Sequence, residues 1–138
     1  MSYNKRNDIF NELIQDVVRQ AKIFLKELGE FYPFASFFDN EIRQLSLFEE
    51  DISDINEYIH QLKEYLDKKI DEKEIKAYAI CKNVNVKQKK SDNPKDCIEI
   101  KINYLGEEYE SCFIPYGISN ENDVVFGNMF VLDNSSSK

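Results

Sequence analysis

The 138-residue sequence has no tryptophan, a single histidine, three cysteines, three prolines and four glycines. Each scarcity closes off a chemistry. His60 is the one imidazole and Cys81, Cys97 and Cys112 form no C-x-x-C pair, so the ligand set of a zinc site is missing. His60 is also the one candidate general base of that type, and no nucleophile stands beside it in a recognisable setting. The glycines Gly29, Gly106, Gly117 and Gly127 are isolated, so neither G-x-G-x-x-G nor a Walker-type G-K-[ST] loop is present to cradle a phosphate. The acidic groups Glu49–Glu57 and Glu107–Glu110 lack the D-x-D-x-D-G spacing of a calcium loop. No run approaches the roughly 18 apolar residues of a membrane span, and the opening MSYNKRNDIF lacks the apolar core of a signal peptide. The expectation is a soluble, cytoplasmic protein without catalytic residues, cofactor or metal.

What the chain does have is acid and aromatic surface. Twenty-six acidic residues against 18 basic ones leave a net charge of −8. Such a charge repels a phosphate backbone, which disfavours nucleic acid, and suits a basic partner. Ten Phe and eight Tyr can supply much of the core area. The length is that of one domain, large enough to bury a core without disulfides or metal. The cysteines are odd in number, widely spaced and set among strand-like residues. They read as small buried hydrophobes in a reducing compartment.

Hydrophobic periodicity sets the elements. Ile9, Leu13, Val17, Ala21, Leu25 and their neighbours form one apolar stripe at helical spacing, which predicts a helix over 6–28 ended by Gly29. Glu30–Asp39 cannot be helical through Pro33. With the turn at Asp39-Asn40 and the run Ile42–Phe48, it reads as a hairpin, Pro33 lying at a strand start or on an edge. Ile52, Ile55, Ile59, Leu62, Leu66 and Ile70 mark a second helix, capped by Asp51 or Ser53. The period then falls to two. Ile75, Ala77 and Ala79 alternate with polar or larger residues, while Val84 and Val86 have the opposite parity, which predicts a bulge near Lys82-Asn83. Ile98, Ile100, Ile102 and Tyr104 read as a half-buried strand, followed by a turn at Leu105-Gly106 and a returning strand over Tyr109–Tyr116. A last apolar stretch, Val124–Leu132, breaks at Gly127, and 133–138 read as a disordered tail. The expected fold class is α+β: an antiparallel sheet of about five strands with two main helices, in the order α-β-β-α-β-β-β, as one domain over 1–132.

Lys82, Lys87, Lys89, Lys90 and Lys95 make one basic run, which reads as a solvated loop or as a hairpin tip that touches RNA or acidic protein. The least ordinary segment is Glu30–Phe34, EFYPF. Three aromatics around a proline pin the first helix to the sheet, or form a binding surface, for which Phe31, Tyr32, Phe34 and Tyr116 are the candidates. At this motif the chain resembles a group of small bacterial proteins that share an EFYPF-like segment after a helix, a K-A-x-A-I strand, a late P-Y and a terminal F-G. Here these are Glu30–Phe34, Lys76–Ile80 with Tyr78 at the variable place, Pro115-Tyr116 and Phe126-Gly127, within about residues 20–130. Where that group often has Asp-Gly after the first strand, this chain has Asp39-Asn40. The resemblance implies one domain and brings no activity with it. The element order also resembles roadblock/longin and profilin-like layouts, which implies topology alone. The functional expectation is a noncatalytic protein-interaction module whose partner is an unknown protein or a second copy of the chain. The alternative is an immunity-type protein that neutralises a basic toxin.

Overall fold

The computed structural model describes residues 5–45, 54–87 and 93–132. Two helices and seven strands follow one another as α1 (Lys5–Leu28), β1 (Phe34–Phe38), β2 (Ile42–Leu45), α2 (Ile55–Asp71), β3 (Ala77–Val86), β4 (Lys95–Tyr104), β5 (Glu107–Glu108), β6 (Cys112–Ile118) and β7 (Val124–Phe126). The strands form one antiparallel sheet in the order β2-β1-β3-β4-β6-β7, with β5 paired to β4. The fold class is α+β as expected, and the strand number is seven rather than about five. The C-terminal Lys68 and Lys69 and the first-turn Glu57 of α2 suit its dipole. Its cap is Asp54, whose carboxylate accepts from the Asn56 and Glu57 amides. The two expected caps, Asp51 and Ser53, lie outside the described residues, as do 46–48 of the expected second strand, Lys89 and Lys90 of the basic run, and the tail.

The two helices lie on opposite faces of the sheet. Ala77, Ala79 and Cys81 of β3 pack with Ile9, Leu13, Val17, Ala21 and Leu25 of α1. The alternate residues Tyr78 and Ile80 pack with Tyr58, Leu62 and Leu66 of α2. Both faces of β3 are therefore buried from Ala77 to Cys81. This corrects the expected bulge at Lys82-Asn83: β3 and β4 pair without interruption from Ala77↔Tyr104 to Val86↔Lys95. Val84 and Val86 continue the α2 face of Tyr78 and Ile80, while the face of Ala77, Ala79 and Cys81 runs on into Asn83 and Asn85. The parity changed because the apolar residues moved from the α1 face to the opposite face, where Val84 and Val86 are half-buried, with no residue inserted. Strand β4 keeps the expected alternation, with Ile98, Ile100 and Ile102 buried and Lys101 exposed on the other face, although Cys97 and Asn103 on that face are buried as well.

The inserted residue lies elsewhere. Asn103 faces Glu108 and Ile100 faces Cys112, so the returning chain takes four steps where β4 takes three. The extra residue falls within 109–111 and splits the expected Tyr109–Tyr116 strand into β5 and β6. It also flips the alternation and turns Tyr109 onto Phe10 of α1, ring centroids 4.9 Å apart, with the Arg6 guanidinium 5.9 Å from the same ring. The turn before it is the expected one. Leu105 and Gly106 both take positive φ, 55° and 96°, as a two-residue type I′ hairpin requires.

Gly29 ends α1 with φ +78°, its amide bonded to the Leu25 carbonyl at 3.0 Å. The β1–β2 turn needs no left-handed residue at Asn40. Instead the Asp39 carboxylate accepts the Asn40 and Glu41 amides at 2.6 and 3.1 Å and Arg43 Nε at 2.8 Å. These bonds, the backbone amides first, lower the Asp39 pKa from 3.8 to about 2. A depressed folded pKa stabilises the fold above pH 3.8, and that contribution is lost as pH falls toward 2. NMR titration of Asp39 is expected to give a midpoint near 2, and Arg43→Ala is expected to raise it only in part, because the two amide bonds remain; an unchanged midpoint would show that the guanidinium contributes nothing.

Candidate functional site

The EFYPF segment sits where α1 ends, the sheet begins and α2 starts. Gly29 redirects the chain and Pro33 lies just before β1, an inner strand, so the strand-start reading of Pro33 holds. Simple alternation would put Tyr32 and Phe34 on one face. The strand starts only at Phe34, and the two part company: Phe34 is 2% exposed, Tyr32 52%. Phe31 is half-buried. Phe24, Phe31 and Phe34 close a triangle of rings with centroid separations of 6.1, 5.4 and 5.5 Å. Edge-on and tilted contacts of this kind add to the area each ring buries. The motif thus pins α1 to the sheet, and Tyr32 is left facing solvent.

A groove of about 560 Å³ opens beside this triangle. Phe24 and Leu28 of α1 form one wall and Ile55 and Tyr58 of α2 the other, with Phe31 and Phe34 below and Tyr32 at the mouth. Leu28 is 70% and Ile55 41% exposed. The fourth candidate, Tyr116, is not part of this site. It lies on β6, with β3 and β4 intervening before β1, and its hydroxyl donates to Asn83 Oδ1 at 2.8 Å. It is half-buried, and burial raises its pKa. Around it Pro115, Gly117, Ile118 and Val125 outline an open depression of about 480 Å³.

Two polar groupings escaped the sequence reading. Asp16 is buried on α1, where its carboxylate accepts from Ser36 of β1 and from Arg19. The available signal was an acid on the apolar stripe, between Leu13 and Val17. On the opposite face, Tyr78 donates to Asp67 Oδ1 at 2.6 Å, and Lys63 bridges Asp67 and Glu108. Lys101 stands 3.8 Å from Glu108. The Lys63 contact lowers the Glu108 pKa. Burial and the Asp67 carboxylate push the Tyr78 phenol well above its ordinary value, so it holds its proton at neutral pH. The space there is about 20 Å³, room for about one water. This cluster ties α2 to the β4–β5 hairpin and has no room for a substrate.

His60 is exposed and sits 2.8 Å from Glu64, one helical turn on. Lys82 pairs with Glu99 at 3.4 Å. Among the described residues no group of three or more His, Cys, Asp or Glu side chains could hold a metal ion, and no helix is long and apolar enough to cross a membrane. The three thiols are free, Cys81 and Cys97 buried and Cys112 half-buried, and burial raises the pKa of each. Native protein is expected to react slowly with Ellman's reagent at neutral pH, Cys112 first, and to show all three thiols once denatured. One thiol that labels faster than a model thiol would contradict their packing role.

Comparison with protein-family models, with curated proteins and with solved structures gives no match to this chain.

Proposed function

We propose that the protein is a noncatalytic interaction module that docks its partner in the groove between the end of α1 and the start of α2. One observation carries this reading. Leu28, Tyr32 and Ile55 are large apolar or aromatic residues left exposed around one concave site, beside a half-buried Phe31 and a buried Phe34. Contiguous exposed apolar surface on a small domain marks interaction sites, and the volume lies in the range of pockets that take a drug-sized molecule or a few side chains. The polar clusters argue in the same direction. Asp16 and Ser36 are committed to each other, and the Tyr78 hydroxyl is committed to Asp67, so neither offers a free acid or base to a substrate. A bacterial, cytoplasmic setting belongs to the same reading, supported by the resemblance at EFYPF and by three free thiols.

Nile red, a neutral dye that brightens in apolar sites, tests the groove directly. Saturable binding at one site is expected. Leu28→Ser combined with Tyr32→Ser should weaken it about tenfold. Both positions are exposed, so the melting temperature should barely move. Equal dye binding by the variant, or none by the parent protein, would remove the groove as a docking surface.

A further inference from the structure

We infer that the segment docking in this groove is a basic stretch of another polypeptide that carries an aliphatic or aromatic anchor between Lys or Arg residues. The inference rests on the docking reading above and adds the chemistry of the occupant. The apolar walls call for the anchor. The rim decides the charge.

Glu30 lines the groove itself. Glu27 is exposed on α1 and stands three residues after Phe24 and one before Leu28, on the groove's flank. Asp54, also exposed, immediately precedes Ile55 at the start of α2. Basic residues nearby in sequence turn elsewhere or are already engaged. At about 100° per residue, Lys22 and Lys26 lie roughly 160° around the helix from Phe24, one in each sense. Arg43 is held by Asp39 and Glu41 at 2.8 Å each. Among the described residues the groove is lined mainly by apolar side chains, with Glu30 and Gln44 its polar members, and the charges of Glu27, Glu30 and Asp54 beside it are of one sign. A net charge of −8 extends that field and steers cations toward it.

The same charges argue against other occupants. Anionic lipid and nucleic acid meet carboxylates at the rim. A second copy of this chain docked groove to groove would set Glu27, Glu30 and Asp54 against their own equivalents, because a two-fold interface places the same patch on both sides. A basic apolar segment satisfies the rim, and its Lys or Arg can also stack over Tyr32.

Fluorescence anisotropy with three short labelled peptides tests this. One alternates Lys with Leu and Phe at helical spacing. The second replaces every Lys by Glu. The third keeps the Lys and replaces the apolar residues by Ser and Gly. The first peptide is expected to bind at least about tenfold more tightly than either of the others. Glu27→Gln with Asp54→Asn, two rim positions outside the groove's lining, should cancel much of that advantage while leaving Nile red binding unchanged; Asn keeps the N-cap acceptor at 54. Leu28→Ser with Tyr32→Ser should lose both probes. Equal binding of the Lys and Glu peptides, with Nile red still bound, overturns the basic partner and leaves the groove reading standing. Equal binding of the Lys–Ser–Gly peptide overturns it too, since net charge alone then accounts for the attraction. Loss of both the apolar Lys peptide and Nile red in the parent protein removes the docking reading, and this inference with it.

Discussion

Phe34→Ala is expected to lower stability by about 3–5 kcal/mol, the usual cost of removing a buried aromatic ring. Phe34 is almost fully enclosed and belongs to the cluster that joins α1 to the sheet. Its loss strips partners from Phe24 and Phe31 together. A domain of this size has roughly 5–15 kcal/mol in all. The melting temperature should fall by on the order of 10–20 °C, or the protein should fail to accumulate in soluble form. Phe34→Leu keeps the site apolar and refills much of it, so it should lose distinctly less. Thermal melts on both variants, run beside sizing chromatography, decide the matter. An unchanged melt in Phe34→Ala would mean that the ring is not part of the packed core.

Breaking the Asp16–Ser36 contact is the second large effect. A hydroxyl that donates to a buried carboxylate contributes about 1.5–3 kcal/mol, and Ser36→Ala should cost that much. The loss is more than a methyl-for-hydroxyl exchange, because the Asp16 carboxylate keeps its burial and loses a donor. Asp16→Leu with Ser36→Ala removes both partners and fills the space with carbon. That double variant should be more stable than the sum of the single losses predicts, with a coupling of roughly 0.5–3 kcal/mol. Urea unfolding of the four proteins measures it. Strictly additive losses would show that the two side chains act independently.

Much of the scaffold was legible because one-sided burial leaves a period. The α1 stripe from Ile9 to Leu25 is a helix with a single apolar face, and α2 repeats the pattern through Leu62 and Leu66. Gly29 and the Leu105-Gly106 turn were legible because positive φ restricts the residues that fit. The errors share one cause. Period-two reasoning assumes that one face of a strand is wet. Strand β3 has α1 on one side and α2 on the other, so its apolar residues change parity without any change in the backbone. The real insertion, at 109–111, hid because Tyr109 fits either parity and gains a partner on α1 only in three dimensions.

The candidate site was half legible. EFYPF drew notice by composition, and Tyr32 is its exposed aromatic. Leu28 looked like the last turn of a buried stripe, and Ile55 like the first turn of another. Nothing local reveals that Leu28 at the end of one helix and Ile55 at the start of the other, 27 residues further along the chain, meet at one corner. That is a property of the β1–β2 hairpin between them, which sets both helix ends against the same margin of the sheet. Tyr116 drew notice for the same aromatic reason as EFYPF, yet its hydroxyl is spent on Asn83.

The groove's walls come from layers on opposite faces of the sheet. Phe24 and Leu28 move with α1, while Ile55 and Tyr58 move with α2. An occupant held by both walls binds only while both layers are in place, so its free energy adds to that of folding. At a concentration one hundred times its dissociation constant this linkage amounts to about 2.7 kcal/mol. That is comparable with the Asp16–Ser36 bond, so the bound partner would act as a removable structural element: it raises the melting point when present, and its departure leaves α2 dependent again on Leu62, Leu66 and the Lys63–Glu108 bridge.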